Sequence, residues 1–249
     1  MTPESFESRS KTEKPEAFYV PPISEQTKQI IENIQGRLFV VGFNGSLKPK
    51  IKSQEVNNPG RTEQLLINVL QTIESYGGYT VLINLADIEM GLPSTNIGEY
   101  SEQYSPEQRD DDVTDMLELV RNADAIVTAT PVYWFSRSSL LQLLWEHFTK
   151  LEESYQLEGK VIGLIATEDE EGASDVIKTQ MLAATHMGMI VAPYSGIFSR
   201  GPGRDYKWVK QDVGDLGIRI LKMCQATKGI DWDTPPVKED IQTFKKDQS

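Results

Sequence analysis

Apolar positions in this chain fall into two alternating kinds of block, and their order predicts the architecture. Arg37-Leu-Phe-Val-Val-Gly-Phe43, Tyr79-Thr-Val-Leu-Ile-Asn-Leu85, Ala125-Ile-Val-Thr-Ala-Thr130 and Lys160-Val-Ile-Gly-Leu-Ile-Ala-Thr167 are short, almost continuously apolar runs. A strand with one wet face alternates apolar and polar residues, so runs without alternation predict strands buried on both faces. A fifth strand is expected at Met189-Ile-Val-Ala192, with Ser195-Gly-Ile197 as a candidate continuation. Between these runs the apolar residues recur at helical spacing. Ile30, Ile31 and Ile34 mark a short helix over 27–34 that Gly36 ends, and Leu65, Leu66, Val69, Leu70 and Ile73 mark one from Thr62 to Gly77-Gly78. Val113, Met116, Leu117 and Val120 mark a third, and further helices are expected over 138–149, 173–187 and 212–226. Strands alternating with helices predict an α/β fold: a five-stranded parallel sheet covered on both faces, in three layers. Such sheets bind ligands beyond the carboxyl ends of their strands, where three loops are expected: 44–62, 131–138 and 167–172.

The third strand decides what the rest is organised around. Pro131 has no backbone donor, so the strand is expected to end there. Val132, Tyr133, Trp134 and Phe135 then form a loop before a helix near Ser138. Large aromatic side chains on a strand-end loop suit a planar ligand, and they equally suit a packed corner or a dimer contact.

Composition narrows the partners. The net charge of −12 with no basic patch argues against nucleic acid or an anionic membrane, and no apolar run reaches membrane-spanning length. The single cysteine, Cys224, excludes an internal disulfide and reads as a packed helix residue. Residues 1–25 read as a disordered arm, 26–230 as the folded domain and 231–249 as a loosely held tail. The arm lacks the features of a secretory or transit signal, so a cytoplasmic location is expected. Ala86 to Glu107 reads as a functional or interface loop, and the acids Asp110 to Asp112 as a helix start.

The first loop contains what an anion site needs. Gly45 allows a turn, Ser46 offers a hydroxyl, Lys48 and Arg61 offer charge, and Thr62 stands at a helix N-terminus. The competing reading makes Gly45 and Ser46 a plain turn and Thr62 an N-cap. No Gly-Lys-Ser/Thr follows at P-loop spacing, and no Gly-x-Ser-x-Gly elbow supports a hydrolase. His147 and His186 read as helix residues rather than ligands or bases.

The block from Asp111 to Trp134, ending in Thr130-Pro-Val-Tyr-Trp134, resembles the flavodoxin-like NAD(P)H-dependent FMN reductase superfamily, especially the branch with iron–sulfur flavoproteins. Phe43-Asn-Gly-Ser-Leu-Lys48 with Gly60-Arg-Thr-Glu-Gln-Leu-Leu66 is similar to its phosphate loop and helix start, and Gly201-Pro-Gly203 to a late turn. The resemblance covers about 37–204 and implies a doubly wound sheet of order 2-1-3-4-5. It implies FMN held at its phosphate by Ser46, Lys48, Arg61 and Thr62, and along its ring by Pro131, Val132, Tyr133, Trp134 and Phe135, with Thr167 opening the third loop beside it. NAD(P)H would be the co-substrate, a quinone-like or other small molecule the acceptor, and the flavin would carry the chemistry. A homodimer or homotetramer is also expected. Three departures stand out. The cysteines of iron–sulfur members are missing from 86–109, so no cluster is expected; residues 49–59 lengthen the first loop; and the third loop reads Thr167-Glu-Asp-Glu-Glu-Gly172. Four acids beside a phosphate would be unfavourable, whereas acids that start the next helix would not. The alternatives are a binding protein that has lost flavin and a flavodoxin-type electron carrier.

Overall fold

The computed structural model describes residues 23–47, 60–93, 111–152, 154–200 and 206–232. Strands β1 (Phe39–Asn44), β2 (Tyr79–Asn84), β3 (Ala125–Tyr133), β5 (Val161–Glu168), β6 (Ile190–Val191) and β7 (Ile197–Arg200) form one parallel sheet, and β4 (Ser136–Arg137) turns back on β3. The order is β2-β1-β3-β5-β6, with β7 also on β5. With β6 and β7 counted as one interrupted strand, this is the flavodoxin-like order 2-1-3-4-5.

Successive side chains of a strand point to opposite faces, and the two cores follow that alternation. Phe39, Val41, Phe43, Ile126, Ile162 and Leu164 face one core, with α3 (Asp111–Asn122), α4 (Ser139–His147) and α6 (Ala173–His186). Val40, Val127, Val161 and Ile165 face the other, with α2 (Arg61–Ser75) and α7 (Tyr206–Thr227). The helical faces predicted for α2 and α3 are the buried ones. Short helix α1 (Glu25–Glu32) begins at its N-cap Ser24, whose amide donates to Asp115 Oδ1 at 2.8 Å and so ties α1 to α3. Short α5 (Thr149–Glu152) follows α4 after a break at Phe148. Among the described residues no helix is long and apolar enough to cross a membrane.

Three expectations change. The third strand does not end at Pro131; it runs to Tyr133, with Pro131 opposite Thr167. Backbone groups of a strand point alternately to its two neighbours, and the Ala129 carbonyl, which accepts from Gly45 N at 2.8 Å, points toward β1. Pro131, two residues on, points the same way, where β1 has already turned off at Asn44. The proline's missing donor therefore removes no ladder bond. The fifth strand is split into β6 and β7 by a turn in which Tyr194 and Gly196 adopt φ of 67° and 99°. The last helix begins at Tyr206 rather than Asp212. At the end of the described residues, the indole of Trp232 lies against the turn at Gly159, where an added Cβ would be 2.2 Å from its Nε1. The N-terminal arm through 22, Lys48, most of the loop after β2, Gly201 to Gly203 and 233–249 lie outside the described residues.

Cys224 is buried on α7, and burial, with Asp124 nearby, pushes its thiol up to about 12. Beside it, Lys160 Nζ donates to the carbonyls of Arg121 and Ala123 at 2.9 and 2.6 Å, capping the end of α3. Burial lowers the pKa of that ammonium, against the pull of Asp124. His147 is buried within α4, with Nε2 2.9 Å from Gly91 O, and His186 is exposed at the end of α6.

Candidate functional site

Parallel register brings the ends of β1, β3 and β5 to one edge of the sheet, with Asn44 beside Ala129 and Pro131 beside Thr167. The start of the first loop, Asn44 to Ser46, is tied down there. Asn44 Nδ2 donates to Asn84 Oδ1 at 2.7 Å, while Asn44 Oδ1 accepts from Ser46 N at 3.2 Å. Gly45 is needed for close approach rather than for a special φ. A Cβ there would meet Ser138 Oγ at 2.8 Å and Leu141 Cβ at 3.1 Å. Ser138 in turn caps α4, accepting from Leu141 N at 3.2 Å, and its own amide donates to Thr130 Oγ1 at 3.0 Å.

The N-cap of α2 is Gly60, which makes no side-chain cap bond, so Thr62 is not the cap that one reading predicts. Thr62 lies in the first turn and its Oγ1 is 2.6 Å from Thr167 Oγ1. The structure thus brings two sequence candidates from different loops into direct contact. Arg61 Nη2 donates to Glu168 O at 3.1 Å and pairs with Asp169 Oδ1 at 2.8 Å, and its Nε is buried without a hydrogen-bond partner among the described residues. The Asp169 side chain is 83% exposed, so that pair contributes about 0–1 kcal/mol and yields readily to a competing anion.

The acids of the third loop separate. Glu168 is buried, and its Oε2 accepts from Ala173 N at 2.6 Å, which places its charge against the N-terminus of α6. Asp169, Glu170 and Glu171 are exposed. These geometries match acids that start a helix and face solvent. Gly172, at φ 109°, is the N-cap of α6 and packs on the aromatic segment: a Cβ there would lie 3.0 Å from Val132 Cγ1 and 3.1 Å from Phe135 Cα.

Pro131 and Val132 are half-buried strand residues, and the aromatics that follow are neither a loose loop nor a packed corner. Tyr133 pairs with Ser136, leaving Trp134 and Phe135 as a two-residue hairpin turn with φ of 50° and 62°. Bulky residues in the left-handed region cost about 1–2 kcal/mol each. Yet Trp134 is 97% exposed and Phe135 64%. With Tyr133 and Leu47 they line an open groove of about 750 Å³, to which Ser136, Arg137 and Gln142 also contribute. Sequence reasoning overlooked Arg137 and Gln142. Arg137 Nε donates to Gln142 Oε1 at 2.6 Å, and its guanidinium lies 5.7 Å from the Trp145 ring.

A monophosphate ester fits this donor set: a buried hydroxyl pair, a guanidinium with an unpartnered nitrogen among the described residues and a helix N-terminus without a side-chain cap. Among the described residues no group of His, Cys, Asp or Glu is arranged to hold a metal.

Comparison with known proteins gives the same direction. Residues 39–202 match the sequence profile of the NADPH-dependent FMN reductase family. An iron–sulfur flavoprotein of Methanocaldococcus jannaschii is 31% identical over 127 residues, 51% of this chain and 60% of that protein. The 8-demethyl-8-aminoriboflavin-5′-phosphate synthase of Streptomyces davaonensis is 25% identical over 173 residues, 66% of each chain. The chain therefore spans about three fifths to two thirds of these relatives' lengths. Among solved structures, RosB with bound 8-demethyl-8-formylriboflavin-5′-phosphate superposes with a TM-score of 0.64 at 20% identity, covering 85% of this chain and 88% of that one. An NADH:FMN oxidoreductase in its apo form gives 0.53 at 14% identity, covering 78% and 91%.

Proposed function

Because the chain belongs to the NADPH-dependent FMN reductase family, we propose that it binds FMN at the strand-end loops and passes electrons from NAD(P)H to a small acceptor. The observation that carries this reading is the Thr62–Thr167 contact at the N-terminus of α2, on the same sheet edge as the aromatic hairpin. With Thr167 donating to Thr62, the Thr62 hydroxyl keeps its own hydrogen for a phosphate oxygen. Ser46 and the first-turn amides of α2 add donors, Arg61 adds charge as it exchanges Asp169 for the phosphate, and Lys48 is assigned there from the sequence. Pro131 to Phe135 lie along the ring. Bound flavin supplies hydride acceptance and one- or two-electron delivery. The residues of this chain bind and orient it, and the hairpin keeps water from one side.

Titration of FMN into the purified chain, followed by anaerobic NADPH, tests the reading. The expected results are FMN binding and bleaching of the flavin band. Binding without bleaching would mark an electron carrier, and no binding would mark a fold that has lost flavin. A second reading treats FMN as substrate, favoured by the similarity to a synthase named for a riboflavin-5′-phosphate product. Mass analysis of flavin recovered after turnover distinguishes them: unchanged FMN supports a cofactor, altered FMN a substrate. A homodimer or homotetramer in the cytoplasm completes the proposal, with the exposed hairpin as a surface a second copy would cover; light scattering reads the assembly.

A further inference from the structure

Arg61, the cation assigned above to the flavin phosphate, is held by the protein's own third loop. Its Nη2 donates both to Glu168 O at 3.1 Å and to Asp169 Oδ1 at 2.8 Å. The two acceptors differ in kind. The carbonyl belongs to the last residue of β5, which is buried and held in register opposite Arg200. It carries no net charge and cannot move away without unravelling the strand end. Asp169 is the first residue past the strand, and its side chain is 83% exposed against 33% for Arg61. Turning that one side chain releases the ion pair with no change of backbone.

The loop keeps Asp169 within reach of Arg61 because it is pinned at both ends. Glu168 Oε2 accepts from Ala173 N at 2.6 Å, and Gly172 fits so closely on the hairpin that a Cβ would lie 3.0 Å from Val132 Cγ1. Asp169, Glu170 and Glu171 are all exposed, yet only Asp169 pairs with a cation among the described residues. The carboxylate thus sits on the nitrogen that a phosphate oxygen would use. An N–H shared between two anions serves each less well, and an anion already beside the guanidinium opposes the entry of another.

We infer that Asp169 is a built-in competitor for the flavin phosphate: it occupies Arg61, must be displaced when phosphate enters, and so sets the affinity at which that end of FMN is held. This rests on the flavin reading and names a regulation of the same site. The penalty falls on every ligand that carries the phosphate and on none that lacks it.

The test compares the full chain as wild type, Asp169→Asn, Asp169→Ala and Glu171→Gln. FMN and riboflavin are titrated into each by flavin fluorescence, and inorganic phosphate is titrated as a competitor of FMN. The expected result is that Asp169→Asn tightens FMN by about two- to fivefold at low salt, the range an exposed ion pair supports. Asp169→Ala, which removes the acceptor as well, tightens it at least as much. Inorganic phosphate gains by the same factor, while riboflavin binds as in wild type. The gain disappears at about 1 M salt, where charges are screened beyond roughly 3 Å. Glu171→Gln removes the same formal charge from the same loop and leaves FMN affinity at the wild-type value. The inference is overturned if Asp169→Asn binds FMN no more tightly than wild type, if riboflavin gains equally, or if Glu171→Gln matches it. Failure of the flavin reading registers separately: neither wild type nor Asp169→Asn then takes up FMN, and the inference falls with it.

Discussion

Replacing Thr62 by Val separates the fold from the proposed phosphate site. Thr62 and Thr167 are 5% and 2% exposed, and their hydroxyl oxygens lie 2.6 Å apart. Thr62→Val leaves the Thr167 hydroxyl buried without that partner, which costs about 1–3 kcal/mol. At about 2–4 °C per kcal/mol for a chain of this size, the ligand-free protein should melt roughly 2–12 °C lower. The double variant Thr62→Val/Thr167→Val removes both hydroxyls and keeps the shape, so it should melt near wild type. Its FMN affinity should nevertheless stay low, because the proposed donor to the phosphate is gone. Loss of one charge-assisted hydrogen bond corresponds to about 10- to 150-fold in Kd. Thermal melts by circular dichroism and flavin-fluorescence titrations measure the two effects independently. If affinity returns together with stability, the threonines act only through the fold. If Thr62→Val melts like wild type, the contact itself carries no weight.

Gly45→Ala should destabilise by about 1–3 kcal/mol through overpacking, seen as a lower melting temperature, because the added methyl meets Ser138 Oγ at 2.8 Å while that oxygen caps α4. Trp134→Gly should melt at or above the wild-type temperature, since it relieves a left-handed φ of 50° on an exposed residue, while FMN affinity falls. A fall in stability would show that the ring is a packing element. Cys224 should resist alkylation in the native state, and its pKa, raised from 9.0 to about 12, fixes a sign. The folded chain keeps a proton that the unfolded chain releases, so the thiol's contribution is complete below about 9 and is lost as pH rises toward 12. Lys160, lowered by burial, contributes with the opposite sign, so the stability difference between wild type and Cys224→Ala is the quantity to follow in denaturant melts. That difference should shrink with rising pH across this window.

The layered α/β architecture was legible because it rests on long-range repetition of apolar runs and helical faces, which single residues do not disturb, whereas the strand order came only from the resemblance to the flavodoxin-like superfamily. The helix faces at Leu65 to Ile73 and Val113 to Val120 show this most clearly. The hairpin was not legible. Trp134-Phe135 carries no Gly or Asn turn signal, and Pro131 gives a stop signal whose force depends on which neighbour its missing donor faces. The roles of Glu168 and Asp169 were open in the sequence because a carboxylate at a loop can cap a helix, pair with a cation or face solvent. Tertiary placement assigns Glu168 to the first and Asp169 to an exposed pair with Arg61. Arg137 was overlooked because nothing local distinguishes it; what sets it apart is Gln142 and Trp145 packing around it.

The most direct test of the central claim is the visible absorption spectrum of the purified full chain during FMN titration and then on anaerobic addition of NADPH. The account predicts saturable binding of one flavin per chain, with a perturbed flavin band that bleaches on NADPH addition. A spectrum that stays that of free FMN, at protein concentrations well above micromolar, would contradict it.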